Sequence, residues 1–398
     1  MDRRQFALSA TAWCATASLA VAQKPERKPP RWRVAVIGHT GRGDYGHGLD
    51  TVWMQIPDAR IVAVADASDA GRQKELKKLN LNADAGFADY KQMLQQVRPD
   101  IVAICPRHLD QHHDMILAAV DSGVRGIYLE KPFVRTPAEA DSVKANCKRS
   151  GVKLAVAHRN RYHPTLQRLD QMIDDGEIGE LLEIRGRGKG DRRGGAEDLW
   201  VLGSHVLNLM AYFGGSPMSC SATMFQDGRR VERSDVKEGN EGLGLLAGNE
   251  LHAMFRMKRG LTAYFDSIAN DGTGNHGFGL QLIGSKGVLQ IQCDKTPLAH
   301  LVRGNPFAPT RGPRPWVPVT SAGPGESEPI GDLRERIHGH RFPARDLLAA
   351  VDQGGQPMCG LEEAAETVEM ISAVFESHRL MAEVSLPLAS RAHPLSLL

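Results

Sequence analysis

The run RWRVAVIG, residues 31–38, is apolar and ends on a glycine. It leads into GHTGRGDYGHGLDTVWMQI, with glycines at 38, 41, 43, 46 and 48. An apolar run without polar alternation reads as a strand buried on both faces of a parallel sheet. Glycines at the end of such a strand suit a turn that meets a pyrophosphate. The first permits the turn, the second lets the backbone approach the phosphates, and the third lets the next helix pack close to the strand. Counted from Gly38, those places fall on Gly38, Thr40 and Gly43, with Gly41 displaced by one. A second register, Gly41, Gly43 and Gly46, matches letter for letter but starts beyond the strand end. The residues that follow carry a helix-like pattern.

A second strand-like run, ARIVAVAD, ends in Asp66, 23 residues beyond Gly43. An acidic residue at about that distance accepts hydrogen bonds from the adenosine ribose of a dinucleotide. Its charge would repel a 2′-phosphate, which favours NAD; Arg42 and Arg72 leave NADP open. The chain then reads as helix, strand (101–105), helix (about 111–121) and strand (126–129). This alternation builds a doubly wound parallel sheet with its ligand site at the carboxyl ends of the strands. CPRH, the pair His112–His113 and EKPF all fall at or near those ends. The cofactor-lining candidates are therefore Gly38, Thr40, Gly41, Arg42, Gly43, Asp66, Cys105, Pro106, His112, Glu130 and Lys131. A lysine beside a cationic nicotinamide has its pKa lowered and can relay a proton. Lys131, between a strand and Pro132, is the candidate for that role.

From about Gly151 the pattern changes. HRNRYHP leads into a helix capped near Gly176, and a series of strands follows. These are expected at 218–226, 250–258, 261–269, 279–283 and 288–293, with GSKG at 284–287 as a tight hairpin. A Pro- and Gly-rich stretch, 305–332, reads as a long surface loop, and two helices near 342–352 and 361–381 close the chain. The expected class is α/β: a Rossmann domain over 32–155 and a second domain with a large, mainly antiparallel sheet over 156–398. One face of that sheet is expected to pack on helices and the other to meet a partner copy in a homo-oligomer. Arg161 and Tyr162 are candidates for substrate hydroxyls. GGAEDLWVLGSH, residues 194–205, adds His205 and two acids, Glu197 and Asp198; these acids equally suit a helix start.

Residues 1–22 pair Arg3 with Arg4 before an Ala-rich run ending in Ala20-Val21-Ala22, the form of a twin-arginine-like export signal, with 23–31 as a linker. A periplasmic or secreted protein without stable membrane insertion is the expectation. Five cysteines beyond that signal, odd in number and widely scattered, make no disulfide framework. Lys plus Arg, 49, nearly balances Asp plus Glu, 47, which gives no electrostatic footprint for nucleic acid. No Cys or His spacing around His205 has zinc-ligand form, so no metal is expected.

In their order and spacing, VAVIGHTGRG, VAVAD, LEKP, HRNRYHP, DDGEIGELLEIRGRG, GSH and the closing SLPL resemble the Gfo/Idh/MocA family over nearly all of the chain after the signal. The resemblance implies hydride exchange between nicotinamide and a carbinol carbon of a sugar or cyclitol. It implies that Lys131 is the catalytic lysine and that His112 lines the cofactor site. The family pattern also places an Asp four residues before the His of GSH and another three residues after it. Here those positions hold Val201 and Asn208. A carboxylate is thus missing; Glu197 and Asp198 are candidates to return one, and Asn208, with His205, is a candidate to bind substrate. An NAD(P)-dependent oxidoreductase with a tightly retained cofactor is the principal expectation. A redox-neutral NAD-dependent glycoside hydrolase and a non-catalytic sugar-binding protein are its alternatives.

Overall fold

The computed structural model describes residues 31–274 and 276–398. The expected export signal, 1–22, and most of the expected linker, 23–31, lie outside the described residues. Six parallel strands form the first sheet: β1 (Trp32–Ile37), β2 (Ala59–Ala65), β3 (Gly86–Phe87), β4 (Ile101–Ile104), β5 (Gly126–Leu129) and β6 (Lys153–Val156). Their order is β3-β2-β1-β4-β5-β6, so the strand order reverses between β1 and β4. A crevice outside the carboxyl ends of the strands at such a reversal is where open α/β sheets bind ligands. The helices are α1 (Asp69–Lys78), α2 (Tyr90–Val97), α3 (His112–Asp121) and α4 (Pro137–Ser150).

The helix expected after the glycine-rich turn is not formed. Residues 38–51 run through turns, and only a short 3-10 segment, Val52–Gln55, follows. Gly41, Gly43, Gly46 and Gly48 all have positive φ, and left-handed residues at this spacing cannot continue a right-handed helix. The sheet face that the helix would cover is closed by Leu49, Val52 and Trp53. Ala344, Leu347 and Leu348, from a helix near the end of the chain, complete it. The first sheet therefore borrows part of its core from the second half of the sequence, and the division at residue 155 is not a clean break in packing.

The second half begins with α5 (Thr165–Asp174), β7 (Leu181–Arg187), α6 (Ala196–Val201), α7 (Gly203–Gly214) and β8 (Pro217–Gln226). Short strands β9 (Arg229–Arg230), β10 (Lys237–Glu238) and β11 (Leu245–Leu246) precede the long β12 (Glu250–Met257) and β13 (Thr262–Ile268). Then come β14 (Gly279–Gly284), β15 (Gly287–Gln292), β16 (Ala299–Arg303) and β17 (Val317–Val319). The chain closes with α8 (Leu333–His338), α9 (Arg341–Gln353), α10 (Leu361–Leu380) and β18 (Val384–Ser385). The large sheet runs β17-β16-β15-β14-β7-β13-β12-β8-β18, with β9 on β8; β7 and β13 are parallel, and the other pairs are antiparallel. β12 and β13 alternate buried and half-exposed residues. One face is covered by α7 and α10, while the other presents His252, Met254, Tyr264 and Asp266. Among the described residues, no helix is long and apolar enough to cross a membrane.

Candidate active site

The glycine-rich turn folds back on itself. His39 and Asp44 exchange backbone hydrogen bonds, and Arg42 N donates to the His39 carbonyl. Gly41 N donates to the Asp44 carboxylate at 2.9 Å. A side chain on Gly43 would strike the Arg107 amide, and one on Gly46 would strike Glu130 and the Cys105 carbonyl. Glycine is thus required where the turn presses against the loops after β4 and β5. At Gly41 the same construction meets open space. Above the turn lies a cleft of about 410 Å³, lined in part by Gly38, His39, Arg42, Asp66, Tyr90 and Gln111. It lies at the carboxyl ends of β1 and β2, where an open α/β sheet of this order holds its ligand.

Asp66 departs from the expected part. It is almost wholly buried and accepts hydrogen bonds from Thr40 N, Thr40 Oγ1 (2.7 Å), Tyr45 Oη (2.9 Å) and Ser68 N (2.9 Å). The ring of Tyr45 lies against Gly38. Asp66 therefore fastens the turn, and its carboxylate is spent inside the protein rather than held free for a ribose. The arginines that left a 2′-phosphate open are also engaged. Arg42 pairs with Asp110, and Arg72 with Asp69 and the Asp66 carbonyl.

Lys131 leaves the end of β5 into a buried space, and three contacts fix its loop. Glu130 accepts from Lys131 N at 2.9 Å and from both His47 N and His47 Nδ1 at 3.0 Å. Burial opposes ionisation of Glu130, but the His47 hydrogen bonds and the charge of Lys131 outweigh it and hold the carboxyl at about 2. His112 is fully buried; its ring nitrogens face the Pro106 carbonyl at 2.7 Å and the Pro132 and Phe133 carbonyls at 2.9 and 3.0 Å. It ties the loop after β4 to the loop bearing Lys131. The Cys105 thiol points into the core, where burial pushes its pKa up.

The amine of Lys131 donates to the backbone carbonyl of Val201 at 2.7 Å. The break between α6 and α7 frees that carbonyl, because His205 N donates to the Leu202 carbonyl instead. At the position where the family carries a carboxylate, a main-chain oxygen thus receives the lysine. Burial lowers the pKa of Lys131, against the opposing charges of Glu130, Glu241 and Asp294. His205, on the first turn of α7, is also driven well below its ordinary value, by burial first and then by His158 and Lys131. The His158 ring meets it edge to face at 5.2 Å, and Phe278 does so at 6.4 Å. Burial, with Lys131 and Arg161, lowers His158 to about 3. His158 Nε2 and His205 Nδ1 are buried without a hydrogen-bond partner.

Neither candidate acid joins this centre. Glu197 accepts from Asn240 Nδ2 at 3.0 Å. Asp198 is fully buried and accepts from Ser267 Oγ at 2.6 Å and Lys189 N at 3.1 Å; burial raises its carboxyl to about 6. It ties α6 to β13, and a side chain at Gly188 would collide with it. Arg161, Tyr162 and Asn208 are likewise structural. Arg161 donates to the Asn208 carbonyl at 2.9 Å and lies over the Tyr212 ring. Asn208 donates to Thr367 Oγ1 at 3.2 Å, and Tyr162 Oη accepts from Cys359 N at 3.1 Å. A separate groove of about 820 Å³ beside Arg161 and Tyr212 includes neither Lys131 nor His205. The structure adds His158, whose ring packs on His205, and the next residue, Arg159, pairs with Asp294. Both stand at the start of HRNRYHP, ahead of Arg161 and Tyr162. Nothing local marks Asp294.

Residues 32–158 match the Gfo/Idh/MocA model, described as an oxidoreductase family with an NAD-binding Rossmann fold. The chain is 24% identical over 372 residues to a D-apiose dehydrogenase of Paraburkholderia graminis, covering 88% of each chain. Over 150 residues it is 29% identical to a D-glucoside 3-dehydrogenase of Escherichia coli, covering 37% of this chain and 41% of the relative. A structure of levoglucosan dehydrogenase with NADH and levoglucosan superposes with a TM-score of 0.68 at 17% identity, over 89% of this chain and 99% of that one.

Proposed function

We propose that this chain is an oxidoreductase of the Gfo/Idh/MocA type, the family whose model residues 32–158 match, and that it oxidises a hydroxyl of a sugar or cyclitol with NAD. The carrying observation is that Lys131 and His205 are both buried, with the Lys131 amine held on the carbonyl of Val201, one helical turn before His205. The cleft at the ends of β1 and β2, lined by Gly38, His39 and Arg42, supplies the place for the adenosine half, with Gly43 and Gly46 packed against the loops after β4 and β5. Nicotinamide, when bound, supplies the acceptor for the carbinol hydrogen.

The chain itself manages the hydroxyl proton. Buried and neutral, His205 is a base able to accept it. Lys131, pinned at one N–H by Val201, keeps its remaining N–H bonds for the substrate oxygen. Holding that oxygen as charge develops is where a positioned cation contributes most. His112 and Glu130 keep the Lys131 loop in register with the glycine turn. The substrate class follows the sugar dehydrogenases that the chain resembles. The twin-arginine-like segment makes export of the folded, cofactor-loaded protein part of the same proposal.

The test is a panel of pyranosides and inositols offered with NAD. The expected result is formation of reduced nicotinamide with at least one member, and a fall of about 10²- to 10⁴-fold in kcat for Lys131→Met. Nicotinamide affinity should change little. A variant that keeps full turnover contradicts the assignment.

A further inference from the structure

The missing family carboxylate leaves a buried base, His205, with no acid on its own helix to balance the charge it gains. Two chains of contacts link Asp294 to it. On one, the His158 ring packs on His205 at 5.2 Å, and the next residue, Arg159, grips Asp294 with Nε–Oδ1 of 3.1 Å and Nη2–Oδ2 of 3.0 Å. On the other, Phe278 packs on His205, and its carbonyl accepts from Cys293 N at 3.0 Å, directly before Asp294. Asn160 holds Asp294 twice, donating from Nδ2 at 3.3 Å and accepting from Asp294 N at 3.2 Å. Asp294 sits at φ 61° after β15, a left-handed conformation that Asp tolerates better than most residues. Its side chain keeps 31% of its surface exposed, and it lines a cavity of about 240 Å³ with His163, Leu298, Ile337 and His338.

We propose that Asp294 supplies the carboxylate of this centre, accepting a hydrogen bond from a substrate hydroxyl adjacent to the one oxidised and stabilising His205 once it carries the proton. This rests on the dehydrogenase reading above. In the step served, the O–H and C–H bonds of the carbinol break. The proton goes to His205, the hydrogen and its electron pair go to oxidised nicotinamide, and a carbonyl remains. The charges that act on His205 are those of Lys131, Asp294 and Arg159, with His158 as a second imidazole packed on it. Asp294 is the anion among them; burial opposes its ionisation, and the hydrogen bond from Arg159 leads the effects that outweigh it. The favoured substrate class is therefore a vicinal diol rather than an isolated alcohol.

The experiment measures calorimetric binding of pyranosides and inositols, each beside its monodeoxy analogues, to the NADH-loaded full chain. In the unaltered protein, at least one diol should bind about 10- to 100-fold tighter than the analogue lacking the neighbouring hydroxyl, since an unpaired polar group in the site weakens the analogue. Asp294→Asn should erase most of that difference, raise KM for the diol and leave NADH affinity and thermal stability near their original values. Absence of any diol preference in the unaltered protein overturns the inference, as does an Asp294→Asn variant that keeps it. A protein that binds the diol selectively but never reduces NAD supports the Asp294 assignment and overturns the dehydrogenase reading instead.

Discussion

Two acids stand near the place where a carboxylate is missing, and neither serves there. Asp198 is consumed by Ser267 and the Lys189 amide, so its charge is a structural cost rather than a catalytic asset. Its folded pKa, about 6, lies above the unfolded value. Stability from this group is therefore complete below about pH 4 and lost as pH rises through about 6, a loss of roughly 3 kcal/mol for a two-unit shift. Asp198→Asn should remove that loss, so melting curves of variant and parent should separate between pH 4 and 7 while turnover persists. A fall of about 10²-fold in kcat would make Asp198 a base after all. Lys131 was legible because a short motif at a strand end carries its meaning locally. Asp294 was not, because its place depends on β15 returning to the loop after β6, and no spacing rule reports that pairing.

The glycine-rich turn shows how far an element can be read. Its strand, its glycines and its position at the carboxyl end of a parallel strand were all readable; the reversal of strand order beside it was not. The helix after it was not formed, because four left-handed glycines outweigh the helical pattern that follows. Asp66 was placed correctly at a strand end, yet its partners Thr40 and Tyr45 come from the turn, which the motif does not foretell. Gly46→Ala should cost about 2–4 kcal/mol, since it combines positive φ with a clash against Glu130 and the Cys105 carbonyl. Fluorescence titration should also show NADH binding weakened about tenfold or more. Unchanged melting and binding would mean that the turn is looser than described. His112→Phe should leave NADH affinity nearly intact and lower kcat about 10- to 100-fold, because it acts by holding the Lys131 loop. An equal effect on NADH affinity would place His112 against the cofactor instead.

At the scale of the whole molecule, the two halves share more than a boundary. α9 closes the first sheet with Leu347 and Leu348, Tyr128 Oη meets His340 Nδ1 at 2.6 Å, and Val156 N donates to the Cys359 carbonyl. A fragment ending at residue 158 should therefore expose apolar surface and aggregate, whereas 31–398 should stay monodisperse by light scattering. A soluble, cooperatively melting fragment would show that α9 is dispensable to the first domain. The longer strands through β15, the two sheet types and the two long closing helices were visible in sequence, since periodicity is local; the short β3, β9, β10 and β11, and β16, β17 and β18, were not, and β17 lies in the stretch read as a loop. The route of α9 back to the first sheet was hidden, because an amphipathic helix does not name the surface it covers.

The central claim is that this centre moves a hydrogen from a sugar or cyclitol carbon to NAD, with Lys131 and His205 managing the proton. It is tested most directly by single-turnover reaction of the NAD-loaded protein with a panel of carbinol-deuterated pyranosides and inositols. Mass spectrometry then follows the label. Deuterium should appear in the nicotinamide with at least one member, and Lys131→Met should abolish the transfer while NAD stays bound. Label retained in every sugar, or transfer undiminished without Lys131, would contradict the account.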